Sequence, residues 1–145
     1  MLAAEMRFAV PHATFALEEV ALGLYPTGNA TVLLPRQIPW VHAYELLLTA
    51  RPIDAPRALD IGLINRIVPP DRLMPTALAA ADAIAANAPL AVRETRRGVR
   101  ELLHLSLDEA YKRQEELGRP LRRSQDARAA QRAFIEKRRP AWKGK

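Results

Sequence analysis

Residues 15–39 read FALEEVALGLYPTGNATVLLPRQIP. Phe15–Ala16–Leu17 is a short apolar piece of extended chain. Two carboxylates, Glu18 and Glu19, follow it directly. Gly23, Pro26, Gly28 and Asn29 then give residues 23–30 strong turn chemistry. A helix is expected to start at the end of this loop and run to about Leu34. The carboxylates lie between apolar runs, and such flanks tend to bury one of two neighbours. Burial raises a carboxyl pKa and lets the group deliver a proton near neutral pH. Spacing alone favours a plainer alternative, a solvated surface pair before a loop. Because the turn at 26–31 leads into a helix, its backbone N–H groups are candidates to hold an anion or an oxygen.

Outward from this stretch, MRFAV (6–10) reads as a short strand stopped by Pro11. Pro39 is expected to open a helix that carries Val41, Tyr44, Leu47 and Leu48 at helical spacing and ends near Thr49. Asp54 is placed to cap a short helix with Pro56 in its first turn, and Gly62 to end it in a left-handed conformation. Residues 65–68 read as a strand stopped by Pro69 and Pro70. Beyond residue 71 the pattern is helical. The alanine-rich stretch 75–86 places Ala77, Ala81 and Ile84 on one face. A helix from Pro89 is expected to bury Val92, Val99, Leu102 and Leu103. Ser106 and Glu109 fit a capping box, opening a helix expected to stop at Leu117 with Gly118 as terminator and Pro120 beyond. Ser124 caps a last helix, expected to turn Ala127, Ala130 and Phe134 inward. The organisation is thus two parts, a mixed part over 1–70 and a basic helical part over 71–145.

Composition narrows the function classes. The 145 residues suit about one domain, with 49% apolar and 26% charged residues, which argues against disorder. There is no cysteine, so disulfides, thiolate metal sites and cysteine nucleophiles are excluded. His12, His42 and His104 are scattered, with no pair at metal-ligand spacing. No Walker-type or dinucleotide fingerprint occurs. No apolar run or signal-peptide layout suggests a membrane or export, so a cytoplasmic location is the expectation. Residues 1–90 carry a net −2 and residues 91–145 a net +8. The positive field therefore belongs to the C-terminal third, as solvated arginine-rich faces or as a polyanion site. Nucleic acid is not the expected partner, because aromatic interleaving is sparse and no nucleic-acid motif is present.

The stretch at 15–39 resembles the FGxPEVxLGLxPGxGGTxxLPRxxG pattern of the enoyl-CoA hydratase/isomerase (crotonase) superfamily. AYELLLTARPIDAPRALDIGLINRIVPPDRL (43–73), AIAANAPLAVRETRRGVRE (83–101) and RAFIEKRRPAWKGK (132–145) are similar to later segments of the same family, in the same order. PRQIP (35–39) is similar to a segment of carnitinyl-CoA-type hydratases. The resemblance implies an α/β crotonase (ClpP-like) fold, present here as its C-terminal half. Residues 1–70 would be the end of the ββα spiral core, and 71–145 a helical segment for trimerisation and CoA contact. LAAEMRFAV (2–10) reads as the middle of a packed element. The family's first glutamate, its glycine-rich segment and both oxyanion donors are expected to lie upstream of Met1.

The resemblance also implies the chemistry. Crotonase-like enzymes bind acyl-CoA thioesters, and backbone N–H groups hold the thioester oxygen as it becomes an enolate. In hydratases two glutamates position a water and move its proton. Glu19 matches the second, the acid; Glu18 stands where the family often has proline. Leu24, Tyr25, Pro26, Thr27 and Gly28 match the substrate-binding loop. Thr27, Asn29 and Ala30 replace glycines there, which is expected to narrow the acyl pocket. Phe134 and Lys137 match positions that meet the nucleotide end of CoA, often across a trimer boundary. No separate cofactor and no metal are expected, coenzyme A being part of the substrate. The expected function is enoyl-CoA hydration, with the isolated chain inactive. The alternatives are an isomerase-type or carnitinyl-CoA-type member, a non-catalytic CoA-binding or oligomerisation module, and a basic helical nucleic-acid binder.

Overall fold

A computed structural model describes all 145 residues. The chain forms two compact units, residues 1–79 and 80–145. Each is built differently.

In the first unit, strand β1 (Phe8–Ala9) pairs in parallel with β4 (Arg66–Ile67), Phe8 opposite Arg66. The Asn65 side chain accepts from the Arg7 N–H at 2.6 Å and extends the pairing by one residue. Strand β2 (Thr14–Phe15) pairs antiparallel with β3 (Ile53–Asp54), Thr14 opposite Asp54. A parallel pair needs a long connection between its strands. Here it contains α1 (Ala30–Gln37), α2 (Trp40–Thr49) and α3 (Ala55–Asp60). These helices bury Leu34, Ile38, Ala43, Leu46, Leu47, Ala55 and Ala58 against Ala9, Ile61, Leu63 and Ile64. Asp54 caps α3 as expected, accepting from the Arg57 N–H at 2.8 Å. Gly62 adopts φ +76 just beyond it.

Two expectations for this unit change. Helix α1 runs through Pro35 to Gln37 instead of ending near Leu34. Proline removes one backbone donor, but Leu34 and Ile38 are one helical turn apart and both buried. Only a continued helix points both inward, and that burial outweighs the missing bond. On α2, the four apolar residues expected at helical spacing do not form one buried face: Leu47 is buried, and Val41, Tyr44 and Leu48 are exposed. Ala43, Leu46 and Leu47 form the inner face. Trp40 and Tyr44 pack on each other outside, with ring centroids 4.5 Å apart. Pro39 stands one position before the helix, as its cap.

Helix α4 (Leu73–Ala85) carries the chain from the first unit into the second. None of its residues is fully buried; of Ala77, Ala81 and Ile84, expected on one face, Ala77 is half-buried and the other two are exposed. The second unit contains α5 (Pro89–Leu102), α6 (Leu107–Arg122) and α7 (Gln125–Ile135). Helix α5 meets α6 at Gly98, where a Cβ would stand 3.4 Å from Leu117 Cδ1. Val99 and Leu103, expected on the buried face, are exposed. The buried side carries Gly98 instead, flanked by half-buried Glu94 and Glu101. Glu101 accepts from Arg113 of α6 at 2.5 Å. A polar seam of this kind is invisible to a search for apolar periodicity.

Helix α6 starts at the expected capping box, with Ser106 and Glu109 bonded reciprocally. It does not stop at Leu117 but continues through Gly118 and Pro120 to Arg122. Leu117 and Leu121 are one turn apart, and both are at least half-buried. Their shared face keeps the helix intact, as on α1. Ser124 caps α7 through the Ala127 N–H at 3.0 Å. The buried residues of α7 are Asp126 and Ala133; Phe134, expected to point inward, is 86% exposed. The last residues fold back on this unit. Both Asp126 oxygens accept from the tail, from the Lys143 N–H at 2.7 Å and the Gly144 N–H at 3.0 Å. Trp142 donates to the Ala86 carbonyl at 2.7 Å. No single helix in the chain is long and apolar enough to cross a membrane.

The α5–α6 seam and the α6 capping box are expected to make the second unit sensitive to acid. Hydrogen bonding and charge from Arg113 hold the Glu101 carboxyl below its ordinary range, and the Ser106 hydroxyl and N–H do the same for Glu109. A carboxyl lowered on folding stabilises the folded state above its unfolded pKa. That contribution is lost as pH falls through the folded value. Urea midpoints measured from pH 7 downward are expected to fall across the acidic range. The double variant Glu101→Gln/Glu109→Gln is expected to start less stable and to show a flatter acid limb.

Candidate active site

The segment from β2 to α1 builds a site within the first unit. After β2 the chain enters a 3-10 turn, Glu19–Leu22, that ends at Gly23 with φ +71. The Glu19 carbonyl accepts from the Leu24 N–H at 2.8 Å, which fixes the backbone of the acid. Two successive left-handed residues, Gly28 (φ +60) and Asn29 (φ +70), then turn the chain into α1. Asparagine is among the few non-glycine residues that accept this conformation readily. The Thr27 carbonyl closes the turn by accepting from the Ala30 N–H at 3.0 Å.

These segments enclose a cavity of about 420 Å³. Its floor is apolar, made by Leu33, Leu34, Leu46 and Leu63. Met1–Ala3 and Thr14–Leu17 contribute further wall, and Glu19, Thr27, Gly28 and Asn29 supply the polar part. Glu18 is exposed, whereas Glu19 is half-buried. The Glu19 Oε2 is sealed from solvent and has no hydrogen-bond partner in the chain. A buried oxygen without a donor is costly, so its presence beside a cavity points to a use outside folding. No group of three or more His, Asp or Glu side chains is gathered as a metal site.

Of the residues singled out in the sequence, Glu19, Thr27 and Gly28 come together on this cavity. Tyr25 and Pro26 line a different concavity of about 430 Å³, with Val20, Pro35, Trp40 and Tyr44. There the Tyr25 hydroxyl donates to Thr31 Oγ1 at 3.2 Å. Leu24 is exposed and lines neither. Asn29 and Ala30, noted as replacements of glycine, do stand on the cavity wall. Phe134 and Lys137 belong to the second unit. Lys137 follows α7 with φ +52, and its N–H donates to the Phe134 carbonyl at 3.2 Å. Leu33, Leu46 and Leu63 fall within the stretches that resemble the family, but nothing in those stretches marks them as cavity floor.

The family model for enoyl-CoA hydratase/isomerase matches residues 1–145. The chain belongs to the enoyl-CoA hydratase/isomerase family. It is 41% identical over 141 residues to an enoyl-CoA hydratase of Mycobacterium tuberculosis, covering 97% of this chain and 53% of that relative. It is 39% identical over 149 residues to a carnitinyl-CoA dehydratase of Proteus mirabilis, covering 99% of this chain and 57% of the relative. Among solved structures, an enoyl-CoA hydratase of Mycobacterium marinum matches with a TM-score of 0.95 at 37% identity. That match covers 99% of this chain and 57% of the other. An enoyl-CoA hydratase of Bacillus anthracis matches with a TM-score of 0.96 at 32% identity, covering 99% of this chain and 56% of the other. The fold is therefore the crotonase fold, and this chain corresponds to its C-terminal half. It spans about half the length of the curated relatives it matches.

Proposed function

We propose that this chain supplies the acid side of an acyl-CoA site that hydrates a trans-2-enoyl thioester. The buried, unpartnered Oε2 of Glu19 beside an apolar cavity carries this reading. In the proposed step a water adds across the C2–C3 double bond, its oxygen bonding to C3. Glu19 gives its proton to C2 and is reprotonated, net, from the water. The family's other glutamate positions that water, and the thioester oxygen, negative as the enolate forms, needs two N–H donors. By resemblance those partners come from the half of the fold outside these 145 residues. Phe134 and Lys137 would meet the nucleotide end of CoA, and no cofactor is needed beyond the CoA of the substrate. The exposed apolar side chains Trp40, Val41, Leu48, Phe134 and Ile135 favour an assembled state, a homo-oligomer such as a trimer.

Hydration of crotonyl-CoA tests this reading. The 145-residue chain alone is expected to turn over at least about 10²–10³ more slowly than a complete family enzyme, the usual loss for a single missing oxyanion donor. Fusing the chain to the remaining part of the fold, taken from the Mycobacterium tuberculosis relative, is expected to restore turnover. Rapid hydration by the chain alone would refute the division of labour. A folded but inactive fusion would refute the assignment of hydration.

A further inference from the structure

The second unit carries a charged surface that the acyl-CoA reading leaves unused. Arg93, Arg96, Arg97 and Arg100 follow one another at helical spacing on α5. Together with Glu101 they line a concavity of about 410 Å³. Residues spaced by three and four share a helix face, and seven residues rise about 10 Å. Four guanidinium groups thus stand along one ledge about two turns long.

Two acids of the same helix, Glu94 and Glu101, stand beside these four arginines. Glu101 is held by Arg113 of α6 at 2.5 Å, and Arg97 reaches it only at 4.0 Å. Glu94 pairs with Arg97 at 2.9 Å, on a side chain that stays 54% exposed. Arg93 has no carboxylate partner. Arg96 and Arg100 have other interactions besides, but a guanidinium carries five donors and can serve two acceptors at once. Four guanidinium groups against two carboxylates, Glu94 and Glu101, of which Glu101 is also held by Arg113, leave this face of α5 with an excess of positive charge.

We propose that this arginine ledge is a binding site for a compact oligophosphate. Forked guanidinium donors match pairs of phosphate oxygens, which a single ammonium cannot do. The ledge is too long for one phosphate and suits two or three linked ones. No aromatic or aliphatic side chain lines it, so it offers nothing for a base or an acyl chain to stack on. That separates it from a single-strand nucleic-acid surface, which needs aromatic platforms. It shares no residue with the Phe134 and Lys137 pair.

Calorimetric titration of the full chain with inorganic tripolyphosphate tests the site. The expected result is saturable binding near one equivalent that weakens as salt is raised. Arg93→Gln/Arg97→Gln is expected to weaken it at least tenfold with an unchanged circular dichroism spectrum. Arg93→Lys/Arg97→Lys, which keeps the charge and so guards against a folding defect, should fall between that variant and the parent. Lys137→Ala should bind tripolyphosphate like the parent. Competition by ATP or by CoA then tells which phosphate ester uses the ledge. Absence of saturable binding would overturn the proposal. So would loss in Lys137→Ala with retention in the double glutamine variant. Binding of duplex DNA that tripolyphosphate does not displace would assign the surface to nucleic acid and also overturn it.

Discussion

Glu19→Gln lowers crotonyl-CoA hydration by about 10²–10⁴ in the completed, fused protein, the range expected for losing a positioned general acid. The substitution keeps the shape of the side chain and removes only the transferable proton. In this chain it also replaces an ionisable group that no donor satisfies with a neutral amide, which costs less to bury. The variant is therefore expected to be at least as stable as the parent in urea, which separates a catalytic loss from a folding loss. Glu18→Gln is the control: Glu18 is exposed and does not line the cavity, so its rate should match the parent. A Glu19→Gln rate within a few-fold of the parent would remove Glu19 from the reaction.

Leu34→Ala is expected to cause one of the largest losses of stability among single substitutions in the first unit, alongside Leu63→Ala. Leu34 is 2% exposed, sits on α1, and forms both core and cavity floor. Truncating a buried leucine to alanine costs about 2–5 kcal/mol, from lost transfer energy and the void left behind. Native stability is commonly about 5–15 kcal/mol, so this is a large share of the whole. Urea unfolding measures it directly. Val32→Ala, on the exposed side of the same helix, should stay within about 0.5 kcal/mol of the parent. Equal effects at 32 and 34 would mean that α1 does not pack as described.

The local punctuation of this fold is legible in the residues themselves. Asp54, Ser106 and Ser124 cap the helices that their sequence positions assign to them, and Gly62 follows α3 in the left-handed region. Each depends on a short-range hydrogen bond or a backbone angle, which a few neighbouring residues determine. Helix breakers and helix faces are less legible. Pro35, Gly118 and Pro120 sit inside helices because paired leucine and isoleucine side chains bury one turn apart around them. Val99, Leu103 and Phe134 are apolar and regularly spaced, yet they are exposed. Periodicity reports which residues share a face, not whether that face is covered within the chain. The same limit applies at the site. The family-like stretches contain both the acid and the floor leucines, but the role of those leucines, on α1, α2 and the loop after α3, comes only from the packing that brings them together.

The tail bond to Asp126 constrains more than stability. One carboxylate accepts from the amides of Lys143 and Gly144, at sequence separations of 17 and 18. Inserting or deleting a single residue between them would carry different amides to the same oxygens and displace the Trp142 indole from the Ala86 carbonyl. The exposed side chains along this interval carry no such constraint, whereas its length does. The interval acts as a fixed ruler: exchange of an exposed side chain leaves it intact, and the gain or loss of one residue breaks it.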